Sequence, residues 1–249
     1  SSASGLAPST QTRAMKALLP HPSNLPPVQF VGRGKLGQAV ADAWRQAGGK
    51  VGDLVGRDDD WTPRHLVFEA TQPAAVVGHL QTCLDDGVPV VTGTTGWLGR
   101  LDEVSARAEA KHVTGFWATN FSPGVHAFNQ VAKHASTLMG QLQGYEASIR
   151  EVHHVHKLDA PSGTALTLKR YAVAGGLPED TPIESIREDD VVGLHALAWE
   201  SAHDSFVLQH EAKSRAGFAK GAVLALRWTW KQHLLGKHGL YTMNDLFTP

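Results

Sequence analysis

Short apolar runs alternate with segments of helical spacing from Val28 onward. Residues 28–31 form a compact apolar run that meets a glycine-rich turn. Apolar positions then recur at helical intervals over 36–47 and stop at Gly48-Gly49, a common helix end. The pattern predicts further strands at 51–55, 65–68 and 88–92, with helices over 73–86 and 101–111. Strands and helices in this alternation imply βαβ units and a parallel sheet. After Phe121 the rhythm changes. A helix over 124–139 precedes strand-like segments at 146–155, 191–200 and 205–211. The expected fold is therefore α/β: a parallel-sheet domain followed by an α+β domain with a mixed or antiparallel sheet. No solenoid-type repeat is present.

Residues 1–27 contrast with this body. They hold five of the thirteen prolines and several serines, and the first acidic residue of the chain is Asp42. Such a segment buries little, so a loose tail is expected. It reads as a tag remnant, with Met15 as an alternative start, or as a disordered extension. Its Ser/Arg-rich, acid-poor character also resembles a plastid transit peptide. The expected division is 28–121 with 217–249 for the first domain and 122–216 for the second.

Composition narrows the chemistry. Hydrophobic residues make up 42% and charged residues 19% of 249, an ordinary globular balance. A formal net charge of −1 gives no surplus cation to neutralise phosphates, which argues against nucleic-acid binding. One cysteine excludes an internal disulfide or a thiolate zinc site and points to the cytoplasm. No apolar run approaches the ~18 residues of a membrane helix.

Gly32-Arg33-Gly34-Lys35-Leu36-Gly37 matches G-x-G-x-x-G between a strand and a helix. Gly32 permits the tight turn, Gly34 admits a pyrophosphate, and Gly37 lets helix and strand approach, as in a Rossmann-like dinucleotide site. Arg57 stands near the position of the usual ribose-binding acid, where a guanidinium suits a 2′-phosphate. Asp58 beside it would suit NADH, so NADPH and NADH both remain candidates. Thr71 and the Gly93-Thr94-Thr95-Gly96 loop follow predicted strands of the same sheet, where a nicotinamide pocket is expected.

The stretch 151–166, EVHHVHKLDAPSGTAL, combines three histidines and a lysine with a Pro-Ser-Gly-Thr turn into a helix. On an extended strand His153 and Val155 share one face, His154 and His156 the other. The turn offers backbone N–H groups and the hydroxyls of Ser162 and Thr164 to an anion, and Lys157 adds positive charge. A histidine there is a candidate general acid. Metal binding by His154 and His156 lacks a thiolate or a H-E-x-x-H partner, and no metal is expected.

That stretch resembles the signature of the dihydrodipicolinate reductase family, now named 4-hydroxy-tetrahydrodipicolinate reductase, of the diaminopimelate route to lysine. Gly93-Thr94-Thr95-Gly96, Asn120-Phe121-Ser122 with Gly124-Val125, and HEAKSRAGFAKGA (210–222) resemble further motifs of that family in the same order. The resemblance implies NAD(P)H-dependent reduction of a small cyclic dicarboxylate. It implies His153 as general acid assisted by Lys157, and His154, Ser162, Gly163 and Thr164 as substrate contacts. Gly93, Thr95, Asn120 and Phe121 would surround the nicotinamide. It also implies a homotetramer formed through the second domain's sheet, and closure at hinges near Ser122 and Arg215 is expected. The glycine loop is shorter than the family's commoner form, and the segment between Arg57 and His65 is abbreviated; both bear on the adenine end. Two alternatives stand beside this reading: another Rossmann oxidoreductase acting on an amino- or oxo-diacid, and a non-catalytic nucleotide-binding homologue.

Overall fold

Strand β1 (Val28–Val31) is buried throughout and runs into the glycine turn and helix α1 (Lys35–Gln46). The chain continues through β2 (Val51–Val55), β3 (Leu66–Glu69), α2 (Pro73–Asp85), β4 (Val90–Thr92), α3 (Leu101–Ala110) and β5 (Thr114–Trp117). Unit 2 then holds α4 (Pro123–Met139), β6 (Glu146–His153), α5 (Gly163–Ala174), β7 (Ile183–Arg187), β8 (Leu194–Glu200) and β9 (Ser205–Glu211). Helix α6 (Ala216–Leu234), β10 (Gly239–Tyr241) and α7 (Met243–Phe247) close the chain. This computed structural model describes residues 19–214 and 216–247. The chain divides into two units, Ser1–Trp117 with Val223–Pro249, and Ala118–Ala222. These seams fall a few residues from the sequence-based boundaries at 121/122 and 216/217.

Unit 1 is a six-stranded parallel sheet in the order β10-β5-β4-β3-β1-β2. Strands β1, β3 and β4 are buried at every residue, as expected where helices cover both faces. From β1 the chain moves outward to β2 and returns to β3 on the other side. The order therefore reverses beside β1, where loops 32–34 and 70–72 lie at the strands' carboxyl ends. Two strands escape the hydrophobic pattern: β5 contains Gly115, and β10 is three residues long. Strand β3 extends one residue beyond the apolar run to include Glu69.

Residues 19–27 are not a loose tail. A 3-10 turn at Pro22–Asn24 carries buried Pro22, and Leu25 is buried as well. Arg227 of α6 donates from Nε to the Pro20 carbonyl at 2.7 Å and from Nη2 to the Leu19 carbonyl at 3.1 Å. A half-buried guanidinium needs acceptors, and this segment supplies them. Residues 1–18, including Met15, lie outside the described residues, as does Arg215.

Unit 2 is built on a mixed sheet in the order β7-β6-β8-β9, with β6 parallel to β7 and antiparallel to β8. One face packs Ile149, Leu197 and Trp199 against Phe128 and Ala132 of α4 and Leu168 of α5. The other face presents Ser148, Arg150, Ala196, Ala198, Val207 and Gln209 along a shallow groove. Strand β7, IESIR, is too polar to announce itself as a strand. Strand β6 ends at His153, two residues before the expected 155. His154 to Lys157 instead form a turn closed by the Lys157 N–H on the His154 carbonyl at 3.0 Å. The facial alternation expected for His154 and His156 therefore does not occur. Their rings meet outside the sheet at 6.4 Å.

Candidate active site

In unit 1 the glycine turn fits a diphosphate by exclusion. Gly32 has φ 109°, and a Cβ there would stand 2.0 Å from the Ala70 carbonyl oxygen. A Cβ on Gly37 would stand 2.3 Å from the Gly32 oxygen, whereas Gly34 has nothing within 4 Å. Gly34 caps α1 without a side-chain hydrogen bond, so the first helical N–H groups of Lys35 and Leu36 face the open side. At the end of β2, Arg33 donates to the Leu54 carbonyl and to Asp59 at 2.7 Å. The same Asp59 oxygen accepts from the Gly56 N–H at 2.7 Å. Asp59 thus holds the acid position at this strand end, one residue beyond the Asp58 named above, and Arg57 stands exposed in the following turn.

The loops after β3 and β4 are fastened by one fully buried carboxylate. Glu69 Oε2 accepts from Thr92 Oγ1 at 2.5 Å and from Thr94 Oγ1 at 2.7 Å. Its Oε1 accepts from the Thr71 N–H at 3.1 Å and from the Thr71 hydroxyl. Thr94 Oγ1 also accepts from the Thr71 N–H at 2.8 Å, tying one loop to the other. The hydroxyls of Thr71 and Thr94 are turned to Glu69, so it is the remaining backbone of these two loops, not these hydroxyls, that is free to face a ligand. Thr95 stays exposed and Gly93 half-buried.

In unit 2 the inner face of the sheet changes from apolar to ionisable along β6. Strand register places His195 of β8 opposite Glu151, and Arg187 of β7 opposite His153. Glu151 is fully buried, with His153 7% and His195 4% exposed. Glu151 Oε1 accepts from the Ser162 N–H at 3.0 Å and from Arg187 Nη2 at 3.2 Å. Its Oε2 stands 3.0 Å from His153 Nδ1 and 3.8 Å from His195 Nε2. The closer contact has ion-pair distance but not hydrogen-bond direction, so Oε2 and Nδ1 are both enclosed without a hydrogen bond. The two imidazoles meet edge to face at 4.9 Å.

Burial pushes the His153 imidazole below its ordinary value; Glu151 opposes this, while Lys157 and Arg187 add to it. His195 is driven down to about 4 by burial, with His153 next in effect. Burial alone would raise the Glu151 carboxyl, but the donors of Ser162, Ser185 and Arg187 outweigh it and hold the group below its usual range.

The anion loop differs in part from expectation. Ser162 is buried and caps α5, its Oγ accepting from the Ala165 N–H at 3.1 Å and lying 3.2 Å from His195 Nε2. With its N–H on Glu151, Ser162 organises the loop from within and is not open to a ligand. Gly163 is exposed, and Thr164 Oγ1 accepts from Asn120 Nδ2 at 3.2 Å. Asn120 Oδ1 receives the Ser122 N–H at 2.9 Å, and Phe121 is buried. Lys157 donates to Asp159 at 2.7 Å. Arg187 gathers this turn, its Nε on the Lys157 carbonyl at 3.3 Å and its Nη2 on the Asp159 carbonyl. Glu69, Arg187 and His195 were absent from the sequence-based site. His195 and Arg187 lie on other strands, and only sheet register brings them to the acid.

A parallel sheet with a glycine turn in one unit and a buried Glu–His cluster beside a Ser-Gly-Thr turn in the other fit an NAD(P)H-dependent oxidoreductase. The chain belongs to the dihydrodipicolinate reductase family. The family's C-terminal domain matches residues 124–247 and its N-terminal domain residues 53–121. The 4-hydroxy-tetrahydrodipicolinate reductase of Christiangramia forsetii is 31% identical over 237 residues, covering 89% of this chain and 97% of that relative. The enzyme of the same name from Magnetococcus marinus is 36% identical over 83% of this chain and 82% of its own. A solved dipicolinate-bound dihydrodipicolinate reductase from Paenisporosarcina sp. TG-14 has the same fold. It superposes with TM-score 0.71 at 21% identity, over 89% of this chain and 99% of that one. Among the described residues no helix is long and apolar enough to cross a membrane.

Proposed function

We propose that this chain reduces 4-hydroxy-tetrahydrodipicolinate, or the dihydrodipicolinate formed when it loses water, to tetrahydrodipicolinate in lysine and diaminopimelate synthesis. The observation that carries the reading is the enclosed Glu151–His153 pair beside Lys157 and the Gly163–Thr164 turn. When bound, reduced nicotinamide supplies two electrons and a hydrogen as hydride to the ring carbon conjugated with the C=N bond. The electron pair displaced along the conjugated system leaves an enamine, which requires one proton at carbon. His153, in its imidazolium form, gives that proton. Lys157 and the 163–164 turn receive the substrate's carboxylates, with His154 at the edge of the same turn. Gly32, Gly34 and Gly37 shape the diphosphate cradle, and Arg33 and Lys35 border it. Gly93, Thr95, Asn120 and Phe121 are assigned to the nicotinamide by family likeness.

Free His153 is biased toward its neutral form by burial and by two cations. A bound dianion offsets Lys157 and Arg187 and favours the imidazolium, so substrate arrival and loading of the acid go together. The open face of the unit 2 sheet, with Val207 about half exposed, supports assembly as a homotetramer through that sheet. The single cysteine, Cys83, is buried with its thiol pushed up by that burial, in keeping with a cytoplasmic enzyme.

The test follows nicotinamide absorbance with substrate generated by a coupled synthase from pyruvate and aspartate semialdehyde. Oxidation of NADPH or NADH that depends on that synthase is expected. Oxidation with aspartate or another amino- or oxo-diacid, and none with the coupled substrate, would reject the reading.

A further inference from the structure

We propose that Glu151 is a positioning residue of the protonation step: it turns Nδ1 of His153 inward so that the proton departs from Nε2, and through the Ser162 N–H it fixes the acid to the anion loop. The inference rests on the reading above for the identity of the acid.

Three observations converge on it. Nδ1 is enclosed and stands 3.0 Å from Glu151 Oε2, so it has no path to a ligand. The other ring nitrogen lies beside Gly193, where a built Cβ would come within 3.1 Å of Nε2 and 3.3 Å of the adjacent ring carbon. A glycine is thus the residue that leaves Nε2 uncrowded. Thirdly, Glu151 Oε1 binds the N–H of Ser162, the cap of α5, so one carboxylate sets both the imidazole and the turn that starts the helix.

Chemistry follows from this geometry. When imidazolium gives up its Nε2 proton, the product is the neutral Nδ1–H tautomer, whose remaining proton sits on the nitrogen 3.0 Å from Glu151 Oε2, within the carboxylate's field though not in hydrogen-bond direction. The carboxylate therefore favours the donor form before transfer and the correct tautomer after it. Other charged or titratable groups surround the ring: His195 on β8, itself paired with His210 on β9, Arg187 on β7, and Lys157 and Asp159 on the following loop. Glu151 is the buried carboxylate among them. Exchanging it for an amide removes the nearest negative charge from the ring and leaves the more exposed Asp159 to oppose Lys157 and Arg187.

The experiment uses the full chain and two readouts. In Glu151→Gln, kcat at pH 7 falls ~10-fold or more, and the falling limb of its pH profile moves ~1 unit lower, while KM for NADPH stays within ~2-fold. Nitrogen-15 NMR of the unliganded chain, with His153 assigned by its absence in His153→Asn, reads Nδ1–H as the neutral tautomer in wild type. The same measurement finds a lower His153 pKa in Glu151→Gln. A folded Gln variant with wild-type pH profile and tautomer overturns the proposal, and so does a wild-type protein whose neutral tautomer is Nε2–H. If Glu151→Gln fails to fold, Gly193→Ala decides: kcat drops ~10-fold with melting temperature retained, and unchanged kcat rejects the Nε2 route. Should wild type show no turnover on the coupled substrate, the functional reading fails, and the NMR arm still judges the Glu151–His153 relation by itself.

Discussion

Each unit contains a glutamate with no exposed surface, and the two are satisfied in opposite ways. Glu69 receives hydroxyls from Thr71, Thr92 and Thr94 and one backbone N–H, so both oxygens carry hydrogen bonds from neutral donors, with His79 Nδ1 a more distant ionisable neighbour at 3.4 Å from Oε1. Glu151 has one oxygen bound to Ser162 and Arg187 and the other facing two imidazoles without a hydrogen bond. A buried carboxylate saturated by neutral donors staples loops. One left half-satisfied among ionisable neighbours keeps its field available for a proton. The difference sets the loop-fastening carboxylate of unit 1 apart from the carboxylate proposed to serve the acid in unit 2.

The largest effect that sharpens this contrast lies at the acid. His153→Ala and Lys157→Ala are each expected to lower kcat by ~10²-fold or more while NADPH still binds, measured by turnover and by cofactor titration. Near-wild-type turnover in both would erase the catalytic side of the comparison. Next comes acid sensitivity. His195 is about 4 in the folded chain against ~6.5 when unfolded, so above pH 6.5 it is neutral in both states and its neighbourhood is undisturbed. As pH falls from ~6.5 toward 4 the unfolded chain takes a proton that the folded one refuses, and up to ~1.4 kcal/mol per pH unit is lost. Urea unfolding followed through tryptophan fluorescence at pH 7 and pH 5 measures this loss. His195→Gln should flatten the dependence.

A smaller effect is expected from Glu69→Gln. Three rotatable hydroxyls can exchange donor and acceptor roles around an amide, so the cost is about 1 kcal/mol, and the falling limb of kcat with pH does not move. A limb shifted as far as in Glu151→Gln would show that the two carboxylates are not different in kind. The least effect concerns the cofactor's adenine end. Arg33 is engaged by Leu54 and Asp59, whereas Arg57 is exposed, so Arg57→Ala raises KM for NADPH by ~3-fold or more and leaves NADH within ~2-fold. An unchanged KM ratio assigns the 2′-phosphate no partner in Arg57.

Much of the architecture could be read before any coordinates, because βαβ alternation and the glycine turn are local signals. The mixed second sheet was also anticipated from long strands with few helices. What escaped was short or polar: β10 at three residues, and β7, whose Glu184, Ser185 and Arg187 hide its strand character. The histidine segment and the anion turn stood out by their residue types, and Glu151 lay inside that segment without a role. Its partners were hidden because they come from β7 and β8 by register, and register depends on pairing that no single segment encodes. Thr71, Thr94 and Ser162 were legible as polar loop residues. Their inward turn became visible only with the carboxylates they serve. The early segment misled for a related reason: the carbonyls of Leu19 and Pro20 find their partner more than two hundred residues later, at Arg227.

The ion pair of Lys157 with Asp159 has a consequence for how a dicarboxylate would enter. Burial would raise the Asp159 carboxyl, but Lys157 and the Gly163 N–H among others hold it below its usual range. The cation and the loop are therefore already engaged by an acid group belonging to the chain itself. On the proposed function, a carboxylate that binds Lys157 displaces the already exposed Asp159, so its affinity would reflect the difference between two similar anions. Under that proposal a monoacid, with only one grip to offer in the swap, would gain little, and a ligand whose second acid group finds a further hold would be favoured.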